Sequence, residues 1–179
     1  MIDFGESYEA MSPPKDLGIP QVYCPPEAIL DKTAGIGGDI LTLACTIFEI
    51  RTGKKLFDSF DDDPDEHLCN IVAVLGPLSE PQWTTWEARK TYFEDDADNQ
   101  GRAILKSEIK AKSDEPRSIR EKLSEGVRYT PDWPGSNIRR DIPQDEIEVF
   151  ADLLGKLLMY SPDDRISARA ALEHEWFKI

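Results

Sequence analysis

Three adjacent residues near the start, Asp3-Phe4-Gly5, carry the most chemistry for their length. A carboxylate followed by an apolar residue and a glycine suits a metal ligand on a mobile turn, although the same triplet also describes an ordinary turn aspartate. A second concentration of acid runs from Asp58 to Glu66 and includes Asp61, Asp62, Asp63, Asp65 and Glu66. Such a run attracts basic partners and equally describes a solvated loop. Gly35-Ile36-Gly37-Gly38 begins like a phosphate loop, but the sixth position is Ile40 and no strand signal precedes it. His67 and His174 stand alone in sequence, which fits helix-surface or packing roles better than metal binding. Cys24, Cys45 and Cys69 make an odd count without CxxC spacing, the pattern of buried or incidental thiols in a reducing compartment.

The elements that position these residues must come from an ordinary globular chain. It has 179 residues, 40% hydrophobic and 31% charged, enough for one domain with a core or half of a larger one. Its 21 basic residues against 35 acidic ones give a formal charge of −14. That balance argues against a nucleic-acid surface, which needs clustered Lys and Arg. No stretch approaches the length of a membrane span, and Met1 to Glu6 has no signal-peptide character. The expected location is intracellular, in cytoplasm or nucleus.

The first thirty or so residues are punctuated by Pro13-Pro14, Gly18-Ile19-Pro20 and Pro25-Pro26, and read as ordered loop. Asp39 to Arg51 is apolar on nearly every face, which predicts a helix at the centre of a domain, preceded by Gly37-Gly38 and stopped at Thr52-Gly53. Pro64 to Leu75 predicts a second helix with Leu68, Ile71, Val72 and Leu75 on one stripe. Residues 77–142 are the least periodic, with short helices expected over Trp86 to Phe93 and Ser118 to Glu125. Pro143 to Tyr160 carries Ile147, Phe150, Ala151, Leu154, Leu157 and Leu158 at helical spacing, and Ser167 caps a last helix. No segment reads as a convincing strand.

Several separated pieces then fall in one order. Asp3-Phe4-Gly5 is followed by Tyr23-Cys24-Pro25-Pro26-Glu27, then Asp39-Ile40-Leu41-Thr42-Leu43-Ala44-Cys45. After these come Ser161-Pro162-Asp163-Asp164-Arg165-Ile166-Ser167-Ala168 and Ala171-Leu172-Glu173-His174-Glu175-Trp176-Phe177. In this order and at these distances the chain resembles a eukaryotic-type Ser/Thr protein kinase from its Asp-Phe-Gly motif onward. Leu43 to Gly53 is most similar to the SR-protein kinase branch of the CMGC group, fungal type.

The resemblance implies a mainly α fold, the helical bundle of a kinase C-lobe without the β-rich N-lobe. It divides the chain into an activation segment (1–30), central helices (31–76), a group-specific insert (77–142) and C-terminal helices (143–179). It implies that Asp3 holds magnesium bridging ATP phosphates, with Phe4 packing inward and Gly5 permitting the backbone change. Glu27 and Arg165 resemble the buried pair that ties the activation segment to the lower lobe. Asp39 resembles the aspartate that holds the catalytic-loop backbone, and also suits a helix N-terminus. The acidic run would lie beside a substrate peptide and favour Arg/Ser-rich protein substrates.

Two departures accompany the resemblance: Cys24 stands where the group has arginine, and Leu41 where it has tryptophan. The Gly-rich loop, the ATP-binding lysine and the catalytic loop with its general base are not found in the 179 residues. Arg139-Arg140-Asp141 does not replace the last of these, because Glu146 stands at its asparagine position and the order relative to Asp3 is wrong. The expected activity is therefore protein Ser/Thr phosphorylation by family, with this chain alone inactive. The alternatives are a catalytically dead protein-binding module or a gene remnant.

Overall fold

The computed structural model describes residues 5, 7–9, 12, 18–33, 35–59, 62–99, 101–110, 118–129 and 138–178. Among them the chain is mostly helical, with two small two-stranded sheets. After a 3-10 turn at Gln21–Tyr23 come α1 (Pro26–Leu30), α2 (Ile36–Thr52) and α3 (Pro64–Leu75). Short pieces follow: α4 (Gln82–Thr85), α5 (Arg89–Tyr92), β1 (Phe93–Ala97), β2 (Ala103–Leu105), α6 (Ser107–Lys110), α7 (Ile119–Ser124), β3 (Val127–Tyr129) and β4 (Ile138–Arg140). The chain continues through α8 (Gln144–Leu157), a 3-10 turn at Pro162–Asp164, α9 (Ala168–Leu172) and a last 3-10 turn at Glu175–Lys178.

Helix α2 organises the main core. Ile40, Leu41, Ala44, Cys45 and Phe48 are buried on its inner face, against Ile147, Phe150, Leu153, Leu154 and Leu157 of α8. Gly53 ends it in the left-handed conformation (φ 72°) that glycine adopts without a Cβ penalty, donating its N–H to the Glu49 carbonyl at 2.7 Å. Arg51 in its last turn makes a bidentate pair with Glu146 of α8, at 2.6 and 2.7 Å. Trp176 stacks on Phe150 with ring centroids 4.3 Å apart and closes the far side.

Two features of α2 differ from the sequence reading. The helix starts at Ile36 rather than Asp39, so Gly37-Gly38 lie in its first turn instead of before it. The reason is tertiary: a Cβ on Gly37 would stand 2.6 Å from Pro162 Cβ, and one on Gly38 would stand 3.3 Å from the Pro25 ring. The helix is also not buried all round. Ile36, Leu43 and Ile50 are 74%, 40% and 79% exposed along one side.

Helix α3 keeps the bounds its punctuation predicts. Pro64 opens it, the Asp63 carboxylate caps it by accepting the Asp65 N–H at 2.9 Å, and Gly76 at φ 93° ends it. It is shared between two cores. Ile71 joins the main one, while Leu68, Cys69 and Val72 pack with Leu78, Trp86, Phe93 and Leu105 in the second.

The expectation of no strands is corrected here. Strands β1 and β2 pair antiparallel with Phe93 opposite Leu105, and β3 pairs with β4. Glu94, Asp95 and Asp96 give β1 little intrinsic strand preference, so the burial of Phe93 and Leu105 in the second core stabilises the pairing instead. The helix expected over Trp86 to Phe93 is likewise split, with α4 and α5 flanking the buried Trp86 indole. The short helix expected over Ser118 to Glu125 forms as α7, opened by a reciprocal capping box of Ser118 and Glu121. None of the helices among the described residues is long and apolar enough to cross a membrane.

Candidate functional site

The most constrained polar cluster joins two distant stretches of chain. The Arg165 guanidinium donates from Nη1 and Nη2 to the two Glu27 carboxylate oxygens at 2.7 and 2.8 Å. Both residues are 7% exposed. The guanidinium also donates to the carbonyls of Met159 (2.7 Å), Gly37 (2.6 Å) and Tyr160 (3.1 Å). One side chain thus fixes the start of α1, the first turn of α2 and the end of α8. Arginine suits this work, since its planar fork matches a carboxylate and leaves further N–H groups for backbone oxygens.

The segment that carries Glu27 is held at further points. Thr42 of α2 donates its hydroxyl to the Tyr23 carbonyl at 3.1 Å. The Tyr23 hydroxyl donates to the Glu49 carboxylate. That bond, with burial and the nearby negative charge, pushes the tyrosine pKa up to about 12. His67 of α3 is fully buried, and its Nε2–H donates to the Cys24 carbonyl at 2.9 Å. Burial holds the His67 pKa below its ordinary 6.5, outweighing the opposing effect of the bond to Cys24. The residues from Tyr23 to Glu27 therefore lie clamped between α2 and α3, a rigid shelf rather than a free loop.

The other residues singled out by sequence fall in different places. Asp3 and Phe4 lie outside the described residues, while Gly5 occupies an exposed turn. Asp39 is exposed in the first turn of α2, where its charge adds to burial in raising the Tyr8 pKa. In the acidic run, Asp61 lies outside the described residues and Asp62 is exposed. Asp63 caps α3, and Asp65 accepts the Trp86 indole N–H at 2.7 Å. Glu66 is half-buried beside Cys69 and Tyr92, and its charge contributes to raising the pKa of both. Among the described residues no group of three or more His, Cys, Asp or Glu side chains gathers as a metal site.

Sequence reading missed two members of the shelf. His67 was read as a lone histidine, and nothing local in sequence marks its contact with Cys24. Gly37 was read as lying before the helix, although it sits in the first turn, its carbonyl is an Arg165 acceptor and its missing Cβ admits Pro162.

Comparison with known proteins gives the cluster a setting. A model of the protein kinase domain matches residues 1–177. The chain is 27% identical over 161 residues to the serine/threonine-protein kinase SKY1 of Saccharomyces cerevisiae, an overlap of 87% of this chain and 19% of that protein. It is 30% identical over 161 residues to the serine/threonine-protein kinase AFC3 of Arabidopsis thaliana, covering 87% of this chain and 35% of that one. For the serine/threonine-protein kinase SRPK of Physarum polycephalum the identity is 28% over 169 residues, covering 90% and 34%. The chain thus spans between 19% and 35% of the length of these relatives.

Proposed function

Because the chain belongs to the protein kinase domain family, we propose that it builds the helical C-terminal lobe of a Ser/Thr kinase of the SR-protein kinase branch. That kinase transfers the ATP γ-phosphate to Ser or Thr of Arg/Ser-rich protein substrates. The buried Glu27–Arg165 pair carries this reading. It fastens Cys24-Pro25-Pro26-Glu27 to the Ser161 to Ser167 segment, two of the motifs that carry the resemblance to the family. On this reading residues 1–30 are the activation segment, 31–76 the central helices, 77–142 the group insert and 143–179 the terminal helices. The protein would act inside the cell, in cytoplasm or nucleus.

Roles follow by position. Asp3, with Phe4 and Gly5, would hold magnesium against ATP phosphates, the ion supplying charge neutralisation when bound. Asp39, exposed at the head of α2, would hold the catalytic-loop backbone. Asp62 and Glu66, with Asp61, would face a basic peptide. The 179 residues include no general base, ATP lysine or Gly-rich loop in the family's order, so by themselves they do not transfer phosphate.

The test uses the chain alone and a chimera in which the part of the SKY1 kinase domain that precedes its stretch matching this chain is joined ahead of Asp3. With magnesium-ATP the chain alone shows no thermal shift and no transfer to an Arg-Ser peptide. The chimera transfers phosphate, and Arg165→Met in the chimera abolishes it. Transfer by the chain alone overturns the inactivity. A folded but silent chimera favours the second reading, a catalytically dead module that holds a protein partner. The exposed Ile36, Leu43 and Ile50 side of α2 supports that reading.

A further inference from the structure

A cavity of about 530 Å³ opens between the C-terminal end of α3, the start of α7 and the outer side of α8. That volume is within the range of small-molecule sites. Ala151, Gly155 and Leu158 line it from α8, Val74 and Leu75 from α3, and Ile119 from α7. Met159 joins this lining and is 44% exposed.

Gly155 is the informative residue. It lies inside α8, where glycine destabilises a helix relative to alanine. Gly37 and Gly126 have a steric reason to be glycine, since a Cβ would stand 2.6 Å from Pro162 Cβ and 2.4 Å from the Arg140 carbonyl oxygen. A Cβ on Gly155 would meet nothing within 4 Å. Among the described residues no contact accounts for this glycine, which is exposed along α8, and the space its missing side chain leaves belongs to the cavity. A local choice that weakens the fold without a packing return is what a binding site leaves behind.

The polar lining sets the class of ligand. Ser79 and Ser161 bring hydroxyl groups. Arg120 is already paired with Glu148 at 2.8 Å, and Asp164 is the other charged residue of the lining. The charges there are balanced, and the formal −14 of the chain disfavours an anion. We propose that this cavity binds a neutral amphiphile, its aliphatic body lying over Gly155 and its hydroxyl- or amide-bearing head meeting Ser79 and Ser161.

The test is a titration of the methyl-labelled 179-residue chain with octyl glucoside below its micellar concentration, followed by NMR. Octanoate and octyltrimethylammonium serve as charged comparators. The expected result is saturable shifts at the methyls of Leu75, Ile119, Leu158 and Met159, tighter for octyl glucoside than for either ion. Gly155→Ala should weaken these shifts in a chain that melts no lower than the parent, and Gly155→Leu should remove them in a chain that still folds. Non-saturating shifts, or shifts concentrated at Ile36, Leu43 and Ile50, mean surface adsorption and overturn the proposal. Tightest binding by octanoate, or unchanged binding in both variants, overturns it equally.

Discussion

Replacing Arg165 by methionine should be the most damaging single change at the shelf. The substitution keeps much of the side-chain volume and removes the cation, leaving the Glu27 carboxylate buried at 7% exposure without its partner. Breaking a buried ion pair in this one-sided way costs about 3–5 kcal/mol, because the remaining charge stays desolvated. The three carbonyls of Met159, Gly37 and Tyr160 lose a donor as well, which places the cost toward the upper end. With a urea slope of about 2 kcal/mol/M, the midpoint should fall by about 1.5–2.5 M. Glu27→Leu should cost a similar amount for the reciprocal reason, and the double variant should cost clearly less than the sum. A coupling energy of about 1.5 kcal/mol or more is expected from the cycle. Arg165→Lys, which keeps the charge but loses the fork, should fall between parent and methionine variant and stay measurable if the latter does not fold. Single variants that each move the midpoint by less than about 0.5 M, or a strictly additive double, would refute the reasoning and leave two independently solvated charges.

Two further outcomes follow from the same geometry. Burial holds the His67 pKa below 6.5, so the folded chain keeps the ring neutral while the unfolded chain takes up a proton near that value. Its contribution to stability is then complete above pH 6.5 and is lost as the pH falls below it. His67→Gln should therefore flatten the melting temperature between pH 6.5 and about pH 5, and parallel curves for parent and variant would contradict this. Gly37→Ala should destabilise by about 1–3 kcal/mol through its clash with Pro162, whereas Gly155→Ala should stabilise by up to about 1 kcal/mol. Thermal melts of the two variants read these opposite signs directly, and a shared sign would count against both.

Where the chain punctuates itself, its elements were legible. Pro64 with Gly76 bounded α3, and Ser167 announced its cap, because these residues act on the backbone within one turn. The start of α2 was not legible, since Gly37-Gly38 read locally as preceding the helix and only the approach of Pro162 and Pro25 explains them. The strands escaped for a related reason: β1 is mostly acidic and exposed, and its pairing depends on a core assembled from α3 and Trp86. At the site, motif order alone brought Glu27 and Arg165 to attention. No periodicity links two positions so far apart in the chain, and none links His67 to Cys24.

The acidic run shows how a charge count overstates what a partner can use. Five carboxylates were read there as one surface, yet Asp63 is committed to the N-terminus of α3 and Asp65 to the indole of Trp86. Glu66 is half-buried, and its charge adds to burial in raising the pKa of Cys69 and Tyr92. Among the described residues of the run, Asp58 and Asp62 are exposed and outside these roles. A basic peptide approaching this edge would be drawn first by the long-range field of the −14 chain, which is screened beyond about 8 Å at physiological salt. At contact it would compete with the Asp63 cap and with the Asp65–Trp86 bond that anchors the stretch after α3 to that helix. The run is thus a joint between α3 and the Trp86 stretch as well as a candidate substrate face. A charge-removing substitution at Asp65 would loosen the second core, while one at Asp62 would report on electrostatics alone.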